Sequence, residues 1–135
     1  MTQPLKESCR ALIQATFAAS NNGTIHFGQV IGQLFSVGVE AYQVDYRAGR
    51  ATYYLPSGET VDLDFAKPEQ GIADTFSTDA LRAAIRGAQQ GTVMYPEFKL
   101  LSQQAGCIGY TVWIAGRHVS YFGRRGEVHI ERFPD

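Results

Sequence analysis

The chain has 135 residues, 44% of them hydrophobic, and its 12 basic and 13 acidic side chains leave a formal charge of −1. That length buries a core without disulfide or metal staples, and the charge balance provides no overall field toward nucleic acid or an anionic membrane. The opening MTQPLKESCRALIQ has no apolar targeting core and no run reaches the length of a membrane span, so a soluble, cytoplasmic protein is expected.

Pro4 suits the first turn of a helix, in which Leu5, Cys9, Leu12, Ile13 and Phe17 recur at helical spacing until Asn21-Asn22-Gly23 ends it. A shorter helix from Phe27 to Phe35 is closed by Gly38. The period then changes from 3.6 to 2: Tyr42, Val44 and Tyr46 alternate with Gln43 and Asp45, as in a strand with one buried face. Ala48-Gly49 turns the chain into a second strand at Ala51–Tyr54, and after Gly58 a third runs from Thr60 to Phe65. The segment AKPEQGIADTF, residues 66–76, reads as a surface connection.

A helix follows from Ser77 or Thr78, with Phe76 and Leu81 placed for a hydrophobic staple, and it ends near Gly91. Pro96 to Gln104 forms another, closed by Gly106. Tyr110, Val112 and Ile114 then alternate with Thr111 and Trp113, and Gly116-Arg117 suits a type II′ turn into Val119–Phe122. After Gly126 the last strand spans Val128 to Phe133. The two third strands differ in phase, because Val61, Leu63 and Phe65 fall on one face and Val128 and Ile130 on the other.

The second half repeats the first. A single offset of 68 residues aligns Gly23-Thr24 with Gly91-Thr92, Tyr42 with Tyr110, Val44 with Val112, Tyr53 with Tyr121 and Gly58-Glu59 with Gly126-Glu127. The expectation is an α+β single domain, 1–135, built by internal duplication of an α-α-β-β-β module (about 1–67 and 69–135), with an antiparallel sheet backed by helices on one face. The pattern of Y-x-V, a turn, Y-Y or Y-F and then G-E, present in GVEAYQVDYRAGRATYYLPSGE and again in AGCIGYTVWIAGRHVSYFGRRGEVHIERFP, resembles the YbcV-like family of uncharacterised bacterial proteins, some labelled phage envelope proteins. The resemblance implies no established activity, cofactor or catalytic residue.

Catalytic motifs are sparse. His26, His118 and His129 lack ligand spacing, so neither a metal nor a cofactor is expected, and Cys9 and Cys107 fit small buried hydrophobes better than a disulfide or a nucleophile. A nucleic-acid contact would have to use the Arg124-Arg125 turn, and an enzyme would have to assemble residues such as Asp45, His118 and Glu131 by tertiary structure. Strand phase favours a different use. If Tyr42, Val44, Tyr53 and their counterparts face the helices, the opposite face carries Gln43, Asp45, Thr52, Tyr54, Thr111, Trp113, Ser120 and Phe122. Aromatic rings among hydroxyls on a face open to water suit a non-enzymatic binding or self-association surface, with Trp113, Tyr54, Phe122, Asp45, His118 and Thr111 as its contact residues and a protein, a small molecule or a second copy as its partner.

Overall fold

The computed structural model describes residues 7–134. In chain order the elements are α1 (Glu7–Asn21), α2 (Phe27–Ser36), β1 (Ala41–Asp45), β2 (Arg50–Tyr54), β3 (Thr60–Asp64), α3 (Thr78–Gln89), α4 (Tyr95–Gln104), β4 (Cys107–Trp113), β5 (His118–Gly123) and β6 (Val128–Arg132). The protein is therefore α+β, with the order α-α-β-β-β occurring twice. Pro4 and Leu5 lie outside the described residues; of the rest of the α1 stripe, Cys9 and Ile13 are buried and Leu12 and Phe17 partly so, with Thr16 buried beside them. Ser77 caps α3 by accepting a hydrogen bond from the Ala80 amide at 3.2 Å.

The six strands form one antiparallel sheet in the order β3-β2-β1-β4-β5-β6. The halves meet at β1 and β4, where Gln43 pairs with Thr111, Tyr42 with Val112 and Val44 with Tyr110. Residues 68 apart thus lie opposite each other at the centre of that pairing, and their neighbours exchange places across it. Gly109 makes the junction possible, and Gly106 the close approach of the chain before α3 to the start of β4. Gly109 stands where a Cβ would lie 2.3 Å from the Val44 carbonyl oxygen, and Gly106, at φ +87°, where one would lie 2.3 Å from the Thr75 oxygen.

Tyr42, Val44, Tyr53, Tyr110, Val112 and Tyr121 are buried against Ile13, Leu34, Leu81, Ile85 and Phe98 of the helices, so one hydrophobic cluster draws on both halves. The strand phase expected for β1, β2, β4 and β5 is the observed one. One expectation needs correction. The β4–β5 turn is not type II′, because the left-handed residue is Arg117 (φ 60°) rather than Gly116. Arg117 N donates to Ile114 O at 3.3 Å, and the left-handed residue follows the turn, as in three-residue hairpin loops. The third strands differ as expected, with Val61 and Leu63 on the inner face and Val128 and Ile130 on the outer. Tyr53 pairs with Val61 and Tyr121 with His129, both regularly, so β6 keeps the register of β3 and turns its polar residues inward.

Candidate ligand-binding site

The outer face of the sheet carries all six contact residues expected from strand phase. His118, Trp113, Ala41 and Tyr54 form one row across four strands, Ser120, Thr111, Gln43 and Thr52 the next, and Phe122, Gly109, Asp45 and Arg50 the third. Trp113 is 42% exposed, lies 6.2 Å from the His118 ring and donates through Nε1 to Ser120 Oγ at 3.2 Å. Thr111 is buried beneath its neighbours. The Asp45 carboxylate accepts from the Arg47 and Ala48 amides, which assigns it to the hairpin turn. Beyond β5 the face is apolar, with Val128 52% and Ile130 58% exposed, whereas beyond β1 it is charged, with Thr52 bonded to Asp62 and Arg50 paired with Asp64 at 3.2 Å.

The inner face holds what strand phase did not reveal as a site. Between helices and sheet lies a cavity of about 90 Å³ whose walls are mostly apolar: Phe17, Val30, Ile85, Val93, Met94 and Phe98 among them. That is several times the space one water needs. Five tyrosines, Tyr42, Tyr53, Tyr95, Tyr110 and Tyr121, also line it. Tyr42 stacks on Tyr53 at 5.1 Å and Tyr110 packs on Tyr121 at 5.6 Å, as expected for aromatic neighbours on paired strands. Tyr110 donates to the Tyr95 hydroxyl at 2.7 Å. The hydroxyls of Tyr42, Tyr53 and Tyr121 have no hydrogen-bond partner among the described residues, yet no buried side-chain oxygen is sealed without one, so these oxygens open onto the cavity. Burial, and then the proximity of other phenols, raises the pKa of Tyr42, Tyr53 and Tyr110; they are protonated hydrogen-bond donors near neutral pH.

Charged groups in and near the cavity are unequally matched. Glu131, on its wall, is gripped by Arg86 of α3, while His129 Nε2 lies 3.0 Å from its other oxygen. Burial alone would raise the Glu131 pKa, but bonds from Arg86 and His129 outweigh it and the net shift is downward. Lys99 does not line the cavity; it lies 4.8 Å from the centre of the Phe65 ring and 5.4 Å from that of Tyr95, and donates to Asn21 Oδ1 at 2.9 Å. Burial lowers its pKa.

The family model described as "Protein of unknown function (DUF1398)" matches residues 7–132. The chain belongs to that family. No curated protein sequence matches it.

For this DUF1398 member, the residues considered for catalysis do not meet. Asp45 and His118 lie at opposite ends of the outer face, in the rows of Gly109 and Trp113, and Glu131 is on the inner face beside His129 rather than His118. In the Arg124-Arg125 turn, Arg124 is spent on the chain, donating to the Ile72 carbonyl at 2.8 Å and standing 3.8 Å from Asp74. Cys9 and Cys107 are free and buried, and burial pushes the Cys107 thiol up to about 11. Among the described residues no group of three His, Cys, Asp or Glu side chains is placed to hold a metal ion, and no helix is long and apolar enough to cross a membrane. A signal for the cavity was present in the sequence: four tyrosines in inward phase bring more hydroxyls to the core than a dry, well-paired interior uses.

Proposed function

We propose that the protein is a non-enzymatic small-molecule binding module that receives its ligand in the tyrosine-lined cavity. The observation that carries this reading is the set of three hydroxyls without a protein partner among the described residues, Tyr42, Tyr53 and Tyr121, that open onto a mostly apolar space. Binding sites combine a mostly apolar wall with a few convergent polar groups, and a ligand atom accepting from these phenols would supply the bonds they lack. The same chemistry speaks against catalysis, since a phenol held protonated is a poor base and a poor nucleophile. The test uses 4-ethylbenzamide, a neutral aromatic probe, followed by amide chemical shifts. Saturable shifts centred on Tyr53, Val93 and Tyr121 are expected, and they should vanish in the cavity-filling variant Ala88→Leu; shifts that survive that variant would refute the cavity as the site.

A second reading, assembly, is favoured by the exposed Val128 and Ile130 beside the unpaired edge of β6. Its occupant would be a second copy: antiparallel β6–β6 pairing centred on Ile130 sets His129 opposite the other copy's Glu131, opposite charges when the imidazole is protonated. The phage-envelope label of some YbcV-like proteins fits this reading better than the first. In both, we take the chain as a duplicated module forming one domain, which the Gln43–Thr111 pairing supports, and its setting as the cytoplasm, which the unpaired thiols suit.

A further inference from the structure

The two halves close their inward tyrosines differently. Tyr110 ends on a protein oxygen, the hydroxyl of Tyr95, which opens α4. Tyr42 is its counterpart 68 positions earlier, but the residue that opens α2 is Phe27, which has no oxygen to offer. The Tyr42 hydroxyl is left as a donor without an acceptor among the described residues, and so are those of Tyr53 and Tyr121, all three on residues more than nine-tenths buried. The wall has few acceptors to spare. Asn21 Oδ1 already accepts from Lys99, Gln89 Oε1 from Arg86, the Tyr95 hydroxyl from Tyr110, and the Glu131 carboxylate from Arg86 and His129. A guest therefore completes this wall by bringing acceptors rather than donors.

An anion would bring acceptors, but the charges oppose it. Arg132, the one lysine or arginine on the wall among the described residues, stands in the outer-face row of His118, while the Glu131 carboxylate faces inward. Burial raises the pKa of all three phenols, the mark of a space that disfavours negative charge. Tyr42 and Tyr53 add a geometry. Directly opposite each other on β1 and β2, their rings stack at 5.1 Å and 26° from parallel, so the two hydroxyls project from the sheet side by side. Two donors so placed match the two lone pairs of a single carbonyl oxygen.

Resting on the cavity reading, we infer that the occupant is a neutral one-ring carbonyl compound, an aryl or cyclic ketone, whose oxygen accepts from Tyr42 and Tyr53 together. That oxygen gives Tyr42 what Tyr95 gives Tyr110. Tyr121 donates to a second acceptor where the molecule carries one, and a cavity of about 90 Å³ confines the guest to a single ring with small substituents.

The experiment titrates three probes of nearly one shape and follows amide chemical shifts. They are acetophenone, α-methylstyrene, in which a methylene replaces the carbonyl oxygen, and benzoate. The chains are the wild type, the double variant Tyr42→Phe/Tyr53→Phe and Ala88→Leu. Loss of the two hydroxyls should weaken acetophenone at least about tenfold, equivalent to about 1.4 kcal/mol, and leave α-methylstyrene within about twofold. On the wild type alone, benzoate should bind at least about tenfold more weakly than acetophenone. Ala88→Leu should weaken the ketone and the alkene alike. An equal response of those two probes to the double variant, or benzoate binding as tightly as the ketone, would overturn the carbonyl assignment while leaving the cavity reading intact. Failure of all three probes to shift the wild-type spectrum, or binding untouched by Ala88→Leu, would overturn the cavity reading and this inference with it.

Discussion

The two edge strands occupy the same place in their halves and pair with their neighbours in the same register, yet they invert each other. β3 turns Val61 and Leu63 inward and Thr60, Asp62 and Asp64 outward; β6 turns His129 and Glu131 inward and Val128 and Ile130 outward. Register is therefore set by the hairpin and the inner strands, and the edge residues accept the faces they are given. What makes the inversion tolerable in β6 is a partner. Arg86 of α3 reaches Glu131, whereas the residue 68 positions before Arg86 is Ala18, which can offer a carboxylate nothing.

The largest effect should come from forcing β6 chemistry onto β3. Val61 is 1% exposed, so Val61→Glu places a charge in the core with no cation opposite, and a loss of about 4 kcal/mol or more is expected in denaturant unfolding. A loss under about 1 kcal/mol would mean that β3 turns over to accommodate the change, and that register is less firmly held than its pairing implies.

Next come the inward tyrosines, which separate ring from hydroxyl. Tyr121→Ala should cost about 3–5 kcal/mol, as truncation of a buried aromatic does. Tyr121→Phe and Tyr53→Phe should change the unfolding midpoint little, within about 0.5 kcal/mol, because their hydroxyls lack protein partners, whereas Tyr110→Phe breaks the bond to Tyr95 and should cost about 1 kcal/mol. A large cost at Tyr53→Phe would show that its hydroxyl is bonded after all and remove the main support for a ligand-accepting cavity.

These contrasts mark where sequence reasoning stopped. Helices, strand phase and the inward placing of Tyr42, Tyr53, Tyr110 and Tyr121 follow from periodicity, because a local repeat of 3.6 or 2 records which side meets the core. The role of Glu131 does not, because it depends on Arg86 meeting it across 45 residues of chain. Nor does the cavity, which is a gap between two layers and has no local pattern of its own. Val128 and Ile130 belong with what alternation did show, since it set them on the face opposite Val61 and Leu63; that this inverts the edge rather than bending it needed the register of β5.

The Glu131 cluster has a pH signature. Because the folded-state pKa of Glu131 is lowered, its ionised form contributes stability above the unfolded value of about 4.3, and this is lost as pH falls through the lower folded value. Glu131→Gln should therefore be less stable than the wild type at neutral pH and converge on it in acid. A stability difference that stays constant from pH 7 to pH 3 would separate Glu131 from the acid response of the fold.

The smallest effect on folding is expected on the outer side of the same strand, and there it isolates association. Ile130 is 58% exposed, so Ile130→Lys removes little buried surface and should leave the melting midpoint within about 0.5 kcal/mol of the wild type. A lysine on an edge strand also opposes edge-to-edge pairing, and about a twofold-symmetric β6–β6 contact it would face its own copy. If the assembly reading is right, sedimentation should show a concentration-dependent dimer for the wild type and a monomer for the variant. A monomer in both would leave Val128 and Ile130 as exposed residues of an inverted edge, and the function with the cavity behind them.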